Sequence, residues 1–481
     1  MFKPEGPITK STEDILGRTT FATRLADAIA KWGFKDSLVI GLYGTWGTGK
    51  SSVINLLKEH LSTLESDNAP TVIEFNPWMV SGQKQLLSHY FEQLAVELEI
   101  QNQETLDEDT AAKLRQYAAL LLALPGRSDL QGVLENILSI GGLISVVAGL
   151  IMQGLSVTAW GIAISVFGVL LIVARLSGNL LEGIARYYEN RAILGKRSIA
   201  AKKQEIVDDL KRRRRKLLII LDDIDRLSEN EIKELIRLVK VNSDFPQTVY
   251  LIACDRTIVE KHLEDKNKAI SGREYLEKII QVNFDLPQTR RSRIEKYLFS
   301  QLDEALERLP SGWQKYFDQS RWANLYHSGF KDFFPTIRSI KRYTNSLAFH
   351  LSMIEKEGVL EANPIDFMAI ECIRVFCPEF YHYMRENKEL FAYIDSETMS
   401  DYGHRQREER LRLLKEGLSN IPESQRESIG EIVKWIFPGC LDNTICGGTW
   451  VSTWNKGLMA RSPDYFDVYF SLTPGGDEQG L

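Results

Sequence analysis

Cysteine is scarce in this 481-residue chain, and the five present (Cys254, Cys372, Cys377, Cys440 and Cys446) form no C-x-x-C pair and have no histidines at matching spacing. A disulfide framework and a zinc module are therefore not expected, and reduced thiols in a cytosolic setting are. Residues 1–14 contain no apolar signal-peptide core, so secretion by that route is not expected either. A net charge of −6 favours neither nucleic acid nor an acidic surface as a partner. After residue 287 there is no glycine-rich loop and no internal repeat. The length exceeds the usual size of one hydrophobic core and suits two soluble units plus an insertion.

One stretch lacks charge altogether. Ile137 to Ala174 runs for 38 residues without an Asp, Glu, Lys or Arg and is divided at Gln153–Ser156 into two apolar halves. These read as a transmembrane hairpin, the first half being short for a span of about 20 residues. Gly142, Ser145 and Gly149 on one half, and Gly161, Ser165 and Gly168 on the other, recur three and four apart and offer seams for close helix pairing. A buried hairpin in a soluble core is the alternative, but neither half has the polar face a soluble helix shows. Downstream, Arg175 to Lys216 holds 13 Lys or Arg against five Asp or Glu, which places both ends of the hairpin on the cytoplasmic side. Its densest part, Lys211 to Lys216, is a candidate surface for anionic lipid headgroups or nucleic acid, or else a solvated turn; lipid is the expected partner.

What the chain does have is phosphate chemistry. Gly44 to Ser51 reads GTWGTGKS and fits G-x-x-x-x-G-K-[ST]. Glycines let successive backbone N–H groups face phosphate, Lys50 reaches the β/γ oxygens, and the Ser51 hydroxyl takes a place on Mg²⁺. Gly44, Thr45, Trp46, Gly47, Thr48, Gly49, Lys50, Ser51 and the adjoining Ser52 are the candidate nucleotide-binding residues. The apolar run Ser37–Tyr43 before the loop predicts a buried parallel strand, and Ser52–Lys58 after it predicts a helix.

Leu217 to Leu221 is a second apolar run, ending in Asp222 and Asp223. This is the form of a Walker B strand, with Asp222 as the metal carboxylate and Asp223 orienting or deprotonating the attacking water. Either could instead cap the helix expected near Ser228. Further strands are predicted at Thr71–Phe75, Thr248–Ala253 and Ile279–Phe284, alternating with helices, so the core is α/β with a parallel sheet and the nucleotide at the carboxyl ends of its strands. The fourth strand runs into Asp255, a candidate γ-phosphate sensor or a surface-loop residue. Lys50 and Asp222 lie far apart in sequence because the hairpin segment is inserted between them. Beyond Pro287 the chain is helical; there Arg338, Lys341 and Arg342 stand at helical spacing, either facing a γ-phosphate or solvated. Trp435, Trp450, Trp454 and Tyr465–Phe470 are expected in the core, and the polar tail from Thr473 is expected to be disordered.

With these parts assembled, the chain resembles the KAP family of P-loop NTPases. The resemblance rests on GLYGTWGTGKSS at 41–52, EFNPW at 74–78, LDDIDRL at 221–227, YLEKIIQVNFDLP at 275–287 and SIKRYTN at 339–345. Many members carry paired transmembrane helices between the two Walker motifs. The resemblance implies roles for Asp222 and Asp223 with Mg²⁺ and water, makes Asp225 and Arg226 candidate finger or supporting residues, and likens Glu13–Arg18 to a segment packing over the base, which brings in Leu16 and Arg18. Members vary at the second acidic position.

The expected organisation is a P-loop core at 1–110 and 211–290, an inserted helical segment at 111–210 with its transmembrane hairpin at about 137–174, and an α-helical domain at 291–481. The expected catalytic set is Lys50, Asp223, Asp255 and Arg226, the metal ligands are Ser51 and Asp222, and the cofactors are ATP and Mg²⁺. Expected partners are the nucleotide and the lipid bilayer; a homo-oligomer or proteins encoded nearby stay open, and nucleic acid is not favoured. The setting implied is the inner membrane of a bacterium with the NTPase domain in the cytoplasm, in defence against phages. The rival readings are a nucleotide-binding membrane scaffold without turnover and a DNA-dependent translocase.

Overall fold

A computed structural model describes residues 5–33, 36–65, 69–80, 86–101, 104, 107–122, 198–242, 244–264, 271–356, 359–393, 401–441 and 449–471. The uncharged stretch 137–174, and with it the hairpin expectation, lies outside the described residues, as does the tail from Thr473. Among the described residues no helix is long and apolar enough to cross a membrane. The chain divides into two compact units: Phe21–Thr45 with Leu56–Leu286, and Met1–Thr20 with Trp46–Asn55 and Pro287–Leu481.

The first unit is built on five strands: β1 (Leu38–Tyr43), β2 (Thr71–Phe75), β3 (Leu217–Leu221), β4 (Thr248–Cys254) and β5 (Val282–Asp285). All pairings are parallel, in the order β2-β3-β4-β1-β5. Every residue of β1, β3 and β4 is buried, whereas the edge strands β2 and β5 alternate. Strands covered on both faces need apolar side chains at every position; edge strands need them at every second one. Beside β2, an edge-to-face series Phe75–Tyr90–Phe91–Tyr117, with centroids 5.0–5.3 Å apart, fixes the helices Leu86–Gln101 and Asp107–Leu122.

Four predicted strands stand within a residue of their observed bounds. The fifth starts later than expected, at Val282. Ser271 and Glu274 form a capping box that opens the helix Gly272–Glu277, and Ile279 N–H returns to Leu276 O at 2.9 Å, so Ile279 and Ile280 belong to a buried turn.

The second unit is helical, with one two-residue antiparallel pair at Glu355–Lys356 and Val359–Leu360. Its core gathers Phe330, Phe334, Tyr343, Leu347, Phe367 and Tyr469. Trp454 and the Phe466–Phe470 aromatics are buried as expected and Trp435 is half-buried, but Trp450 is exposed, on the outer side of the short helix Thr449–Lys456.

Candidate functional site

β1 ends in Gly44, whose amide donates to Cys254 O of β4 at 3.2 Å, so the ends of these two strands are tied together. In the helical unit the loop continues through Trp46, Gly47, Thr48 and Gly49 to Lys50, which is buried and is the first residue of the helix Lys50–Ser62. Gly47 and Gly49 take φ of 78° and 93°, a left-handed backbone that other residues adopt only under strain. The first amides of a helix have no partner within it, which makes its start suited to an anion. Ser52, by contrast, turns its hydroxyl to the N-terminal segment: it accepts from Ile8 N–H at 3.3 Å, while Asn55 donates to Ile8 O at 2.9 Å.

Of the three basic residues singled out beyond Phe334, Arg338 stands at the loop. Its guanidinium lies 5.2 Å from the exposed Trp46 ring. A Cβ on Gly47 would stand 3.6 Å from Arg338 Cβ and Cδ and from Thr336 Oγ1. Arg342 is engaged elsewhere, donating to Val375 O at 2.8 Å.

In the sheet unit, β3 delivers Asp222 and Asp223. Asp223 has φ 58° and ψ 28°, left-handed without being glycine, a geometry that costs on the order of 1–3 kcal/mol and clusters at functional sites. Its amide donates to Asp222 Oδ1 at 2.8 Å. Its own carboxylate pairs with Arg226 at 3.0 Å and accepts from Asn76 Nδ2 at 3.5 Å, and Arg226 stacks 5.3 Å from the Trp78 ring. Ser228 and Glu231 cap the following helix, Glu229–Asn242, through a bond of 2.9 Å from Ser228 N–H to Glu231, so neither Asp222 nor Asp223 is used as its cap. One oxygen of Asp225 is buried without a hydrogen-bond partner among the described residues.

Asp255 is buried at the end of β4 and caps the helix Arg256–Leu263, accepting from Thr257 N–H at 3.0 Å. The structure thus brings Asp222, Asp223 and Arg226 into one network and puts Asp255 in a capping role at the neighbouring strand's end. Asn76 and Trp78 are functional candidates that the sequence reading held only within the EFNPW motif at 74–78, with no role assigned. Their signal was position: they directly follow β2, beside β3 in the sheet.

The Asp14–Thr19 turn is rigid for a stated reason. Asp14 accepts from Gly17 N–H at 2.9 Å, Thr19 N–H at 2.7 Å and the Thr19 hydroxyl at 2.6 Å. Burial works against its charged form, yet these bonds hold its carboxyl below the usual range. Gly17 has φ 71°, and Arg293 Nη1 donates to Leu16 O at 2.5 Å over the space a Cβ would need. The turn presents Arg18, buried, with Nη2 donating to Thr289 Oγ1 at 3.1 Å and Pro287 O at 3.3 Å.

The basic run resolves into separate roles. Arg213 is fully buried, paired with Asp107 and donating to Thr71 Oγ1 at 3.1 Å. The amides of Arg214 and Arg215 donate to the Glu104 carboxylate at 3.1 and 2.7 Å, and Lys216 Nζ donates to Ala30 O at 2.7 Å. Only Lys211, Arg212 and Arg214 are exposed, and Lys211 stands 3.6 Å from Asp208. The run is therefore neither one continuous charged surface nor merely a solvated turn.

The pattern that defines the KAP family P-loop domain matches residues 18–354. The phage T7 exclusion protein of Escherichia coli (strain K12) is 25% identical over 276 residues, 57% of this chain and 34% of that protein. The kinase D-interacting substrate of 220 kDa of Rattus norvegicus is 26% identical over 72 residues, 15% of this chain and 4% of that protein. The chain spans about a third or less of the length of these relatives. Among solved structures, the Aeropyrum pernix ORC1 protein in complex with DNA aligns over 88% of this chain and 94% of that chain at 12% identity, with a TM-score of 0.33.

Proposed function

Because the chain belongs to the KAP family of P-loop domains, we propose that it binds Mg²⁺-ATP on the Gly44–Ser51 loop and hydrolyses it, the nucleotide state switching its helical unit or an assembly. The backbone of the loop carries this reading: left-handed Gly47 and Gly49 lead the chain into a helix that starts at the buried Lys50. Lys50 neutralises the β/γ oxygens and the helix start receives phosphate. Mg²⁺ takes few protein oxygens and completes its shell with water and phosphate, a demand that one hydroxyl and one carboxylate suit; Ser51 and Asp222 are the donors. Asp223 orients or deprotonates the water. Its carboxylate is occupied by Arg226 and Asn76, so it must be released to act, and Arg226 is then available for the γ-phosphate charge. Asp255, one strand away from β3, senses the γ-phosphate in this reading.

In the same proposal, residues 137–174 anchor the protein in the inner membrane of a bacterium with its NTPase part in the cytoplasm. A role in excluding phage is supported by the likeness to the T7 exclusion protein. The test is turnover by the purified chain with Mg²⁺-ATP. Lys50→Ala should abolish nucleotide binding, and Asp223→Asn should keep binding and lose hydrolysis. Unchanged turnover in Asp223→Asn rejects its assignment; binding without turnover in the wild type favours a scaffold. Membrane fractionation that survives a salt wash tests the anchor, and full recovery without detergent defeats it.

A further inference from the structure

Arg18 is 7% exposed, and its Nε and Nη1 are buried without hydrogen-bond partners among the described residues. The two acceptors on its Nη2, Thr289 Oγ1 and Pro287 O, are neutral. Asp14, whose charge eases the burial of Arg18, has its oxygens on the amides of Gly17 and Thr19 and the Thr19 hydroxyl and makes no hydrogen bond to the guanidinium among the described residues. A guanidinium taken out of water without a bonded anion is costly, and a fold keeps one when something else supplies the anion. The direction it faces identifies that anion. Nη1 lies 3.7 Å from where a Cβ on Gly49 would stand, over the bare backbone immediately before Lys50 and the helix start.

We propose that Arg18 is a phosphate ligand, donating from Nη1 to an oxygen of the α- or β-phosphate of the bound nucleotide. This rests on the nucleotide reading above and narrows it. In such a loop the backbone cradles the α/β-phosphates while the lysine reaches on to the β/γ oxygens. A guanidinium over Gly49 therefore touches what ADP and ATP share. Arg18 reports that the site is filled, not whether the γ-phosphate is present. The rigid Asp14–Thr19 turn holds it in place before ligand arrives, and Thr289 and Arg293 tie that turn to the start of the helix Arg291–Leu306. Phosphate on Arg18 thus bears on the helix Arg291–Leu306.

The experiment compares wild type and Arg18→Met in the whole chain, by calorimetric titration with Mg²⁺-ADP and Mg²⁺-ATP and by thermal melts without nucleotide. Loss of a charge-assisted bond should weaken both nucleotides equally, on the order of 10- to 100-fold, while the nucleotide-free Tm stays level or rises because an unpartnered buried charge has been removed. A lower nucleotide-free Tm with unchanged affinity makes Arg18 a structural residue and overturns the proposal. Weakening of ATP alone overturns it too, since that marks a γ-phosphate contact. If the wild type binds no nucleotide, the site reading and the Arg18 role fall together; if the wild type binds and Arg18→Met binds equally well, only the Arg18 role falls.

Discussion

In the sheet unit, Arg213 is buried against Asp107 and the hydroxyl of Thr71; in the helical unit, Arg18 is buried to a similar degree with two of its nitrogens unpartnered among the described residues. Burial alone cannot tell a structural arginine from a ligand-binding one. The count of partners can. Arg213 has an anion from its own chain, so its charge closes a structural joint between the Asp107–Leu122 helix and the residues leading into β3. Arg18 has neutral acceptors on one nitrogen only, and its remaining capacity faces a loop whose chemistry is phosphate binding.

The largest expected effect tests the joint. Arg213→Ala takes the buried cation away from the Asp107 carboxylate, which should cost about 3–5 kcal/mol in urea denaturation. Asp107→Ala strands the arginine and should cost about as much, while the double variant should cost less than the sum of the two. A Arg213→Ala loss under about 1 kcal/mol breaks the comparison, because the two arginines would then be alike in contributing little to the unliganded fold.

Composition and spacing did not distinguish these arginines; only the family resemblance brought in Arg18. Arg213 sits inside Lys211–Lys216, where composition reports charge but not that Asp107 waits 106 positions earlier. The joint exists only in the folded protein, where the two positions meet. β1, β3 and β4 were legible because central parallel strands need unbroken apolar runs, and the phosphate loop because its backbone demands glycine at fixed places. The start of β5 was not, since Ile279 and Ile280 are apolar for a turn that is itself buried. The Asp223–Arg226 pair is local and was nearly readable from spacing, but Asn76 and Trp78 reach it from the segment that follows β2.

A middle-sized effect sharpens the comparison on the backbone. Glu104 accepts from the amides of Arg214 and Arg215, so Glu104→Ala leaves those donors without their charged acceptor. The site is partly open to solvent, and the loss should be about 1–2 kcal/mol, readable as a lower urea midpoint at unchanged slope. A change in slope instead would mean that the Glu104 contact alters the compactness of a state, not only the stability of the turn.

The smallest expected effect concerns the part of the run that the fold leaves outside. Arg212 and Arg214 are exposed, and replacing both with Gln should change stability by no more than about 0.5 kcal/mol, in contrast to Arg213 between them. Three neighbouring residues of one type would then span the whole range from joint to solvent. The same double variant tests the proposed lipid contact. With only Lys211, Arg212 and Arg214 outward, at about 1 kcal/mol each near an anionic surface and less in salt, two substitutions should weaken association with phosphatidylserine vesicles by roughly 10- to 30-fold at low ionic strength. Binding that is unchanged at low salt would remove the lipid reading of this run and leave it with its structural work on Asp107, Glu104 and Ala30.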